Sequence, residues 1–196
     1  HLMYSVSAAA AIASILDITN NISSIFKNIK TPPGRMKILE GKFDSIIIDD
    51  TYNSSPIACV SALQTLSDLS IKGKNNSTKI AVLGDMKELG IHSEKAHRDI
   101  GKLTSEKSDI LITVGEMAKF IAIEARLAGM PSDQIFSFEN SLQAIERVNS
   151  FLASDNLILV KGSQSMRMEK IVESLLKDES KATDLLVRQE EEWKRR

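Results

Sequence analysis

Cysteine is almost absent. The one residue of this type in 196, Cys59, excludes an internal disulfide framework and any multi-cysteine zinc or iron–sulfur site. It fits a reducing compartment, and a cytoplasmic location is expected. An excess of either charge is lacking too: 25 Lys and Arg against 26 Asp and Glu leave a formal net charge of −1. Nucleic-acid and membrane-surface binders usually carry a basic excess, so neither partner is expected. No apolar run reaches the roughly 20 residues that span a bilayer. The run LMYSVSAAAAIASIL near the start has no basic region before it, so it reads as a helix rather than a signal peptide. There is no initiator methionine, and His1 falls inside a helical pattern, so a fragment is expected.

Three phosphate and nucleophile motifs are missing. G-x-x-x-x-G-K-[ST], which cradles a triphosphate, does not occur. Neither does G-x-G-x-x-G after the first strand, nor a G-x-S-x-G elbow. His92 and His97 are five apart, cannot share one helical face, and do not make an H-E-x-x-H zinc site. Each is expected as a surface or capping residue. With no nucleophile–base pair in view, the chain alone does not read as a complete enzyme.

What is present is an ordinary globular composition, 42% hydrophobic and 26% charged. Residues 3–17 are alanine-rich and helix-forming, and 20–29 have helical apolar spacing. TPPGR then breaks the pattern at 31–35, a plausible hinge. After it, β-like runs at 36–39, 45–49, 79–83, 109–114, 134–138 and 156–160 alternate with helical patterns at 57–69, 93–103, 117–127, 142–152 and 166–176. Continuous apolar strands joined by helices predict an α/β, doubly wound, mostly parallel sheet with both faces covered. Residues 182–193 read as a charged C-terminal helix or tail.

Ligands of such sheets sit beyond the carboxyl ends of the strands. DDTYNSSP (49–56) follows the second strand. Its serines and Pro56 suit a helix start. Asp49, Asp50, Tyr52 and Asn53 fit either a solvated turn or a ribose or metal contact. LGDMKELG (83–90) brackets Asp85 and Glu88 with glycines, as a polar loop or an acidic site. VGEM around Gly115 reads as a simple turn, and Asn140 or Ser141 as a helix cap. LVKGSQSMRMEK (159–170) places Gly162, Ser163 and Ser165 before a helix. With Lys161 and Arg167 nearby, that is either an anion site or a capped helix start.

Taken in order, GR (34–35), DDTYNSSP, AVLGDMKELG with SEKAHRDIG (93–101), ITVG (112–115) and LVKGSQSMRMEKIV resemble the C-terminal half of a Mur ligase over roughly 140 residues. HLMYSVSAAAA is similar to the G-x-H-N-x-x-N-x-L-A-A pattern that closes the family's central domain, with Leu2 and Ser5 where asparagines are common. The resemblance implies residues 1–30 as the end of a central ATPase domain, 31–35 as a hinge, 36–178 as a Rossmann-like domain, and 179–196 as a tail. It implies an ATP-dependent amide-bond ligase of peptidoglycan precursor synthesis, adding D-alanyl-D-alanine to UDP-N-acetylmuramoyl-tripeptide. ATP and magnesium would be bound mainly by a central domain outside this chain, and that domain and an N-terminal domain would be its partners. This chain would act as their lid, inactive alone and without a catalytic residue or metal ligand of its own.

Carried over by motif, Arg35 would reach the ATP phosphates, Asp50 the ribose, and Tyr52 and Asn53 the same nucleotide edge. Asp85, Glu88, Lys161 and Ser163 would meet the amino substrate. Gln164 stands where arginine is usual, and Ser55 where asparagine is. Another Mur or folylpolyglutamate-type ligase, and a non-catalytic Rossmann-like nucleotide-binding module, are the alternative expectations.

Overall fold

The computed structural model describes residues 2–18, 31–70 and 77–195, without the side chains of 2–5 and 194. The chain divides into two units, His1–Thr31 and Pro32–Arg196. In the first, α1 (Leu2–Ile15) runs through the alanine-rich stretch. The helix expected over 20–29 lies outside the described residues.

In the second unit the strands are β1 (Lys37–Glu40), β2 (Ile46–Asp50), β3 (Lys79–Gly84), β4 (Ile110–Val114), β5 (Ile135–Phe138) and β6 (Leu157–Lys161). The helices between and after them are α2 (Pro56–Asp68), α3 (Ser93–Lys107), α4 (Lys119–Leu127), α5 (Ser141–Asn149) and α6 (Glu169–Leu175). One six-stranded sheet runs β1-β2-β6-β3-β4-β5. Only β1 is antiparallel, and Ile46 to Asp50 of β2 stand in register with Leu157 to Lys161 of β6. This is the predicted α/β class.

The strands alternate between two cores, as side chains on a pleat must. Ile47, Ile80, Val82, Ile112, Ile158 and Val160 face α5 and α6. Ile48, Ala81, Leu83, Leu111 and Leu159 face α2, α3 and α4. Both faces are covered, which is why these strands carry so little polar sequence. Gly101 of α3 lets α4 approach closely: a Cβ there would stand 2.4 Å from the Ile121 carbonyl oxygen. Gly101→Ala is therefore expected to lose about 1–3 kcal/mol, since backbone rather than a pliant side chain must move. Thermal unfolding against Gly129→Ala, where nothing stands within 4 Å, separates crowding from backbone effects.

Two expectations changed. The helix read over 166–176 is interrupted, because Arg167 adopts a left-handed conformation (φ 53°, ψ 39°) after a 3₁₀ turn at Gln164–Met166. The helix proper begins at Glu169. The segment 182–193 is not one helix. Short α7 (Ala182–Leu185) and α8 (Glu191–Lys194) flank an irregular stretch whose Leu186 and Arg188 are buried, Arg188 at φ 58°.

The topology makes a crevice. The chain leaves β2 and β3 for helices on one face and leaves β6, which lies between them, for α6 on the other. The turns therefore part over the carboxyl end of β6, the usual place for a ligand in an open α/β sheet.

Candidate functional site

Three turns line a cavity of about 840 Å³ over that crevice. The β2 turn contributes Tyr52 to Ser55, the β3 turn Lys87 to Leu89, and the β6 turn Ser163 to Ser165, with Arg167 and Trp193. Residues read separately as nucleotide contacts (Tyr52, Asn53) and amino-substrate contacts (Glu88, Ser163) thus share one cavity.

The adjacent acids that end β2 hold the GR turn. Asp49 Oδ2 accepts from the Gly34 amide at 3.0 Å, and Asp50 Oδ1 from the Met36 amide at 3.1 Å. The backbone on either side of Arg35 is therefore fixed, while its side chain stays exposed. Gly34 has φ +69°, and a Cβ there would meet the Tyr52 nitrogen at 2.9 Å, so the turn needs glycine. The Arg35 guanidinium rests on the Tyr52 ring, 4.1 Å from its centroid. Asp49 is fully buried, and burial pushes its carboxyl up against hydrogen bonds from Thr51 and Gly34.

Asp50 meets Lys161 at 2.6 Å, with the lysine side chain 2% exposed. Lys161 also donates to the Asn53 carbonyl at 3.0 Å. Lys161, grouped with Ser163 by sequence, instead lies beneath the β2 turn, because a buried cation needs an anion and acceptors to offset its lost hydration. At the start of the last helix, read as either an anion site or a capped start, both nearby cations are already paired. Arg167 is bound to Glu169 at 2.5 Å, and Lys161 is held by Asp50.

Asp85 is likewise an organiser. It is 1% exposed and accepts from the Ala118 amide at 2.7 Å and from Lys87 Nζ at 2.8 Å. Gly115 is more than a turn, since a Cβ there would press to 2.4 Å from the Asp85 carboxylate. Ser163 joins two turns, its amide donating to the Asp85 carbonyl and its hydroxyl accepting from the Lys87 amide at 2.8 Å. Glu88 is exposed at φ 65°. Ser55 caps α2 ahead of Pro56, and Asn140 caps α5, as their patterns predict.

His97 is a further correction. It is fully buried. Nδ1 lies 2.7 Å from the Ser93 carbonyl, and Nε2 accepts from the Met86 amide at 2.9 Å. Donation to that carbonyl fixes the neutral tautomer that can accept at Nε2. It holds the β3 turn, whereas His92 is exposed. Glu169 and Arg188 escaped sequence reasoning. They pair at 2.9 Å across 19 residues, a separation with no local signature. Among the described residues no group of three or more His, Cys, Asp or Glu side chains converges as a metal site. No helix among the described residues is long and apolar enough to cross a membrane.

Residues 34–164 match the family model described as "Mur ligase, glutamate ligase domain". The chain belongs to the Mur ligase family. Among curated Mur ligases, the UDP-N-acetylmuramoyl-tripeptide–D-alanyl-D-alanine ligase of Bacillus subtilis is 30% identical over 177 residues, 90% of this chain and 38% of that protein. The Escherichia coli enzyme of the same name is 28% identical over 86% of this chain and 35% of its own length. A crystal structure of MurF from Acinetobacter baumannii aligns with TM-score 0.74 at 27% identity, covering 88% of this chain and 37% of that one. A Thermotoga maritima MurF ligase in complex with ADP shares the fold, with TM-score 0.70 at 24% identity over 91% of this chain and 38% of that chain. The chain thus spans under two fifths of the length of these Mur ligases.

Proposed function

We propose that this chain is the lid and amino-substrate portion of an ATP-dependent ligase that joins D-alanyl-D-alanine to UDP-N-acetylmuramoyl-tripeptide in the cytoplasm. One observation carries the proposal: a single cavity of about 840 Å³ is lined by the Tyr52–Asn53 turn and by Glu88 and Ser163. A ligase needs that adjacency, because its nucleotide and its incoming amine must meet at one reacting carboxyl group. The names of the relatives support this choice of substrates.

In this reaction the tripeptide carboxylate attacks the γ-phosphorus of ATP and ADP leaves. The dipeptide amine then attacks the acyl phosphate, forming a tetrahedral intermediate. Its collapse expels inorganic phosphate, and the amine proton is lost. The chemistry at phosphorus would belong to parts of the relatives that these 196 residues do not span. The lid contributes position and charge. Arg35 brings a planar fork of donors to the phosphates. Its stacking on Tyr52 is worth only about 0.5–1 kcal/mol at an exposed site, little enough for a phosphate to draw it away. Asp50 has spent two of about four acceptor positions on Lys161 and Met36, which leaves capacity for a ribose hydroxyl. Lys161 orients Asp50 rather than touching substrate. Tyr52 and Asn53 border the nucleotide, and Glu88 faces the dipeptide ammonium. Asp85 and Ser163 hold the β3 and β6 turns in place for the dipeptide.

The test joins the chain to the N-terminal and central segments of a relative and follows ADP release. Release should need both the tripeptide nucleotide and D-alanyl-D-alanine. Release indifferent to the dipeptide would overturn the substrate assignment.

A further inference from the structure

The irregular stretch between α7 and α8 is the least sequence-legible part of the fold, and it touches three separate turns. Arg188, 7% exposed, is its centre. Its Nη1 and Nη2 each donate to the Thr51 carbonyl at 3.1 Å, and Nη2 also to the Tyr52 carbonyl at 2.7 Å. Nη1 meets Glu169 Oε2 at 2.9 Å. Glu169, 1% exposed, holds Arg167 with its other oxygen. Arg167 in turn donates to the Trp193 carbonyl at 2.6 Å and lines the cavity. Just before Arg188, a Cγ of Val187 lies 3.0 Å from where a Cβ on Gly34 would be. Leu185 accepts from Lys37 Nζ at 3.1 Å. The stretch therefore reaches the GR turn, the β2 turn and the β6 turn together.

A purely structural strap would not need this chemistry. Leu186 already buries the segment against the sheet. Placing an arginine and a glutamate in the interior costs hydration that apolar side chains would not forfeit. What the arginine adds is direction: one planar group fixes two successive carbonyls, so the peptide that carries Tyr52 cannot rotate.

We propose that residues 185–193 are a strap in which Arg188, held by Glu169, is a positioning residue for the Tyr52–Asn53 edge of the nucleotide site. The inference rests on the ligase function above for the identity of the nucleotide, though not for the mechanical link. By this account the strap preorganises the β2 turn, so binding the nucleotide need not order it.

Two measurements test it. In the 196-residue chain, amide exchange is read by NMR for Arg188→Ala and for Arg188→Lys. The second variant retains a partner for Glu169 but cannot span both carbonyls, and it carries the test should Arg188→Ala fail to fold. The Tyr52 and Gly34 amides should exchange at least tenfold faster, while Val82 and Ile112 in the sheet do not change. Equal exchange at Tyr52 overturns the strap. In the chain joined to its relatives' preceding segments, ATP affinity by calorimetry should fall about tenfold, with D-alanyl-D-alanine affinity unchanged. Unchanged ATP affinity alongside faster exchange would make the strap merely structural and overturn its role at the nucleotide. Loss of dipeptide dependence in the unmodified protein would overturn the ligase assignment alone, since neither readout uses turnover.

Discussion

Lys161→Met is expected to destabilise the domain by about 3–5 kcal/mol, the usual cost of removing one partner from a buried ion pair. The carboxylate of Asp50 would remain beneath the β2 turn, its side chain 11% exposed, with the Met36 amide as its remaining donor. The Asn53 carbonyl would lose its ammonium donor as well. Most of that cost is the stranded charge rather than the worth of the pair. The double variant Asp50→Asn/Lys161→Met should therefore be far less damaged than the sum of the single ones. Urea unfolding of all four proteins measures this. Additive losses would mean that the two groups do not depend on each other, contrary to the 2.6 Å contact.

That pair shows where sequence reasoning stopped. The sheet was legible because both of its faces are buried, which leaves long apolar runs such as Ile46 to Ile48 and Leu157 to Val160. The carboxyl-end turns were legible from their glycines, acids and serines, and Ser55 and Asn140 cap helices as their patterns require. What a linear pattern cannot show is which charge meets which. Asp50 and Lys161 are 111 residues apart, and only the parallel register of β2 with β6 sets them side by side. Asp49 had no assigned role until the Gly34 amide was seen on it. The break at Arg167 was hidden because MRMEKIVESLL carries good helix formers throughout, and the left-handed residue is paired with Glu169, which distant Arg188 also holds. The same holds for 182–193, where charged residues suggested a C-terminal helix or tail. Arg188 carries that charge inward, onto Glu169 and two carbonyls.

Arg35→Ala is expected to slow turnover of the ligase about 100-fold or more, the scale of losing one aligned donor to charge that develops in a transition state. The fold should hardly register the change. Arg35 is exposed, and among the described residues it rests on the Tyr52 ring. The forgone stacking is worth about 0.5–1 kcal/mol. The turn itself stays in place because Asp49 and Asp50 grip the amides of Gly34 and Met36, not the Arg35 side chain. A pinned backbone under a lightly held side chain is what a reaching group requires, since little energy is lost when it leaves its resting place. Arg35→Lys keeps the charge but not the planar fork, so it should recover only part of the rate. ADP release in the chain joined to its relatives' preceding segments measures turnover, and thermal unfolding of the 196-residue chain reports on the fold. Full turnover in Arg35→Ala would place the phosphate contact elsewhere. A large drop in melting temperature would instead mean that the arginine serves the turn, and the slower rate would be its consequence.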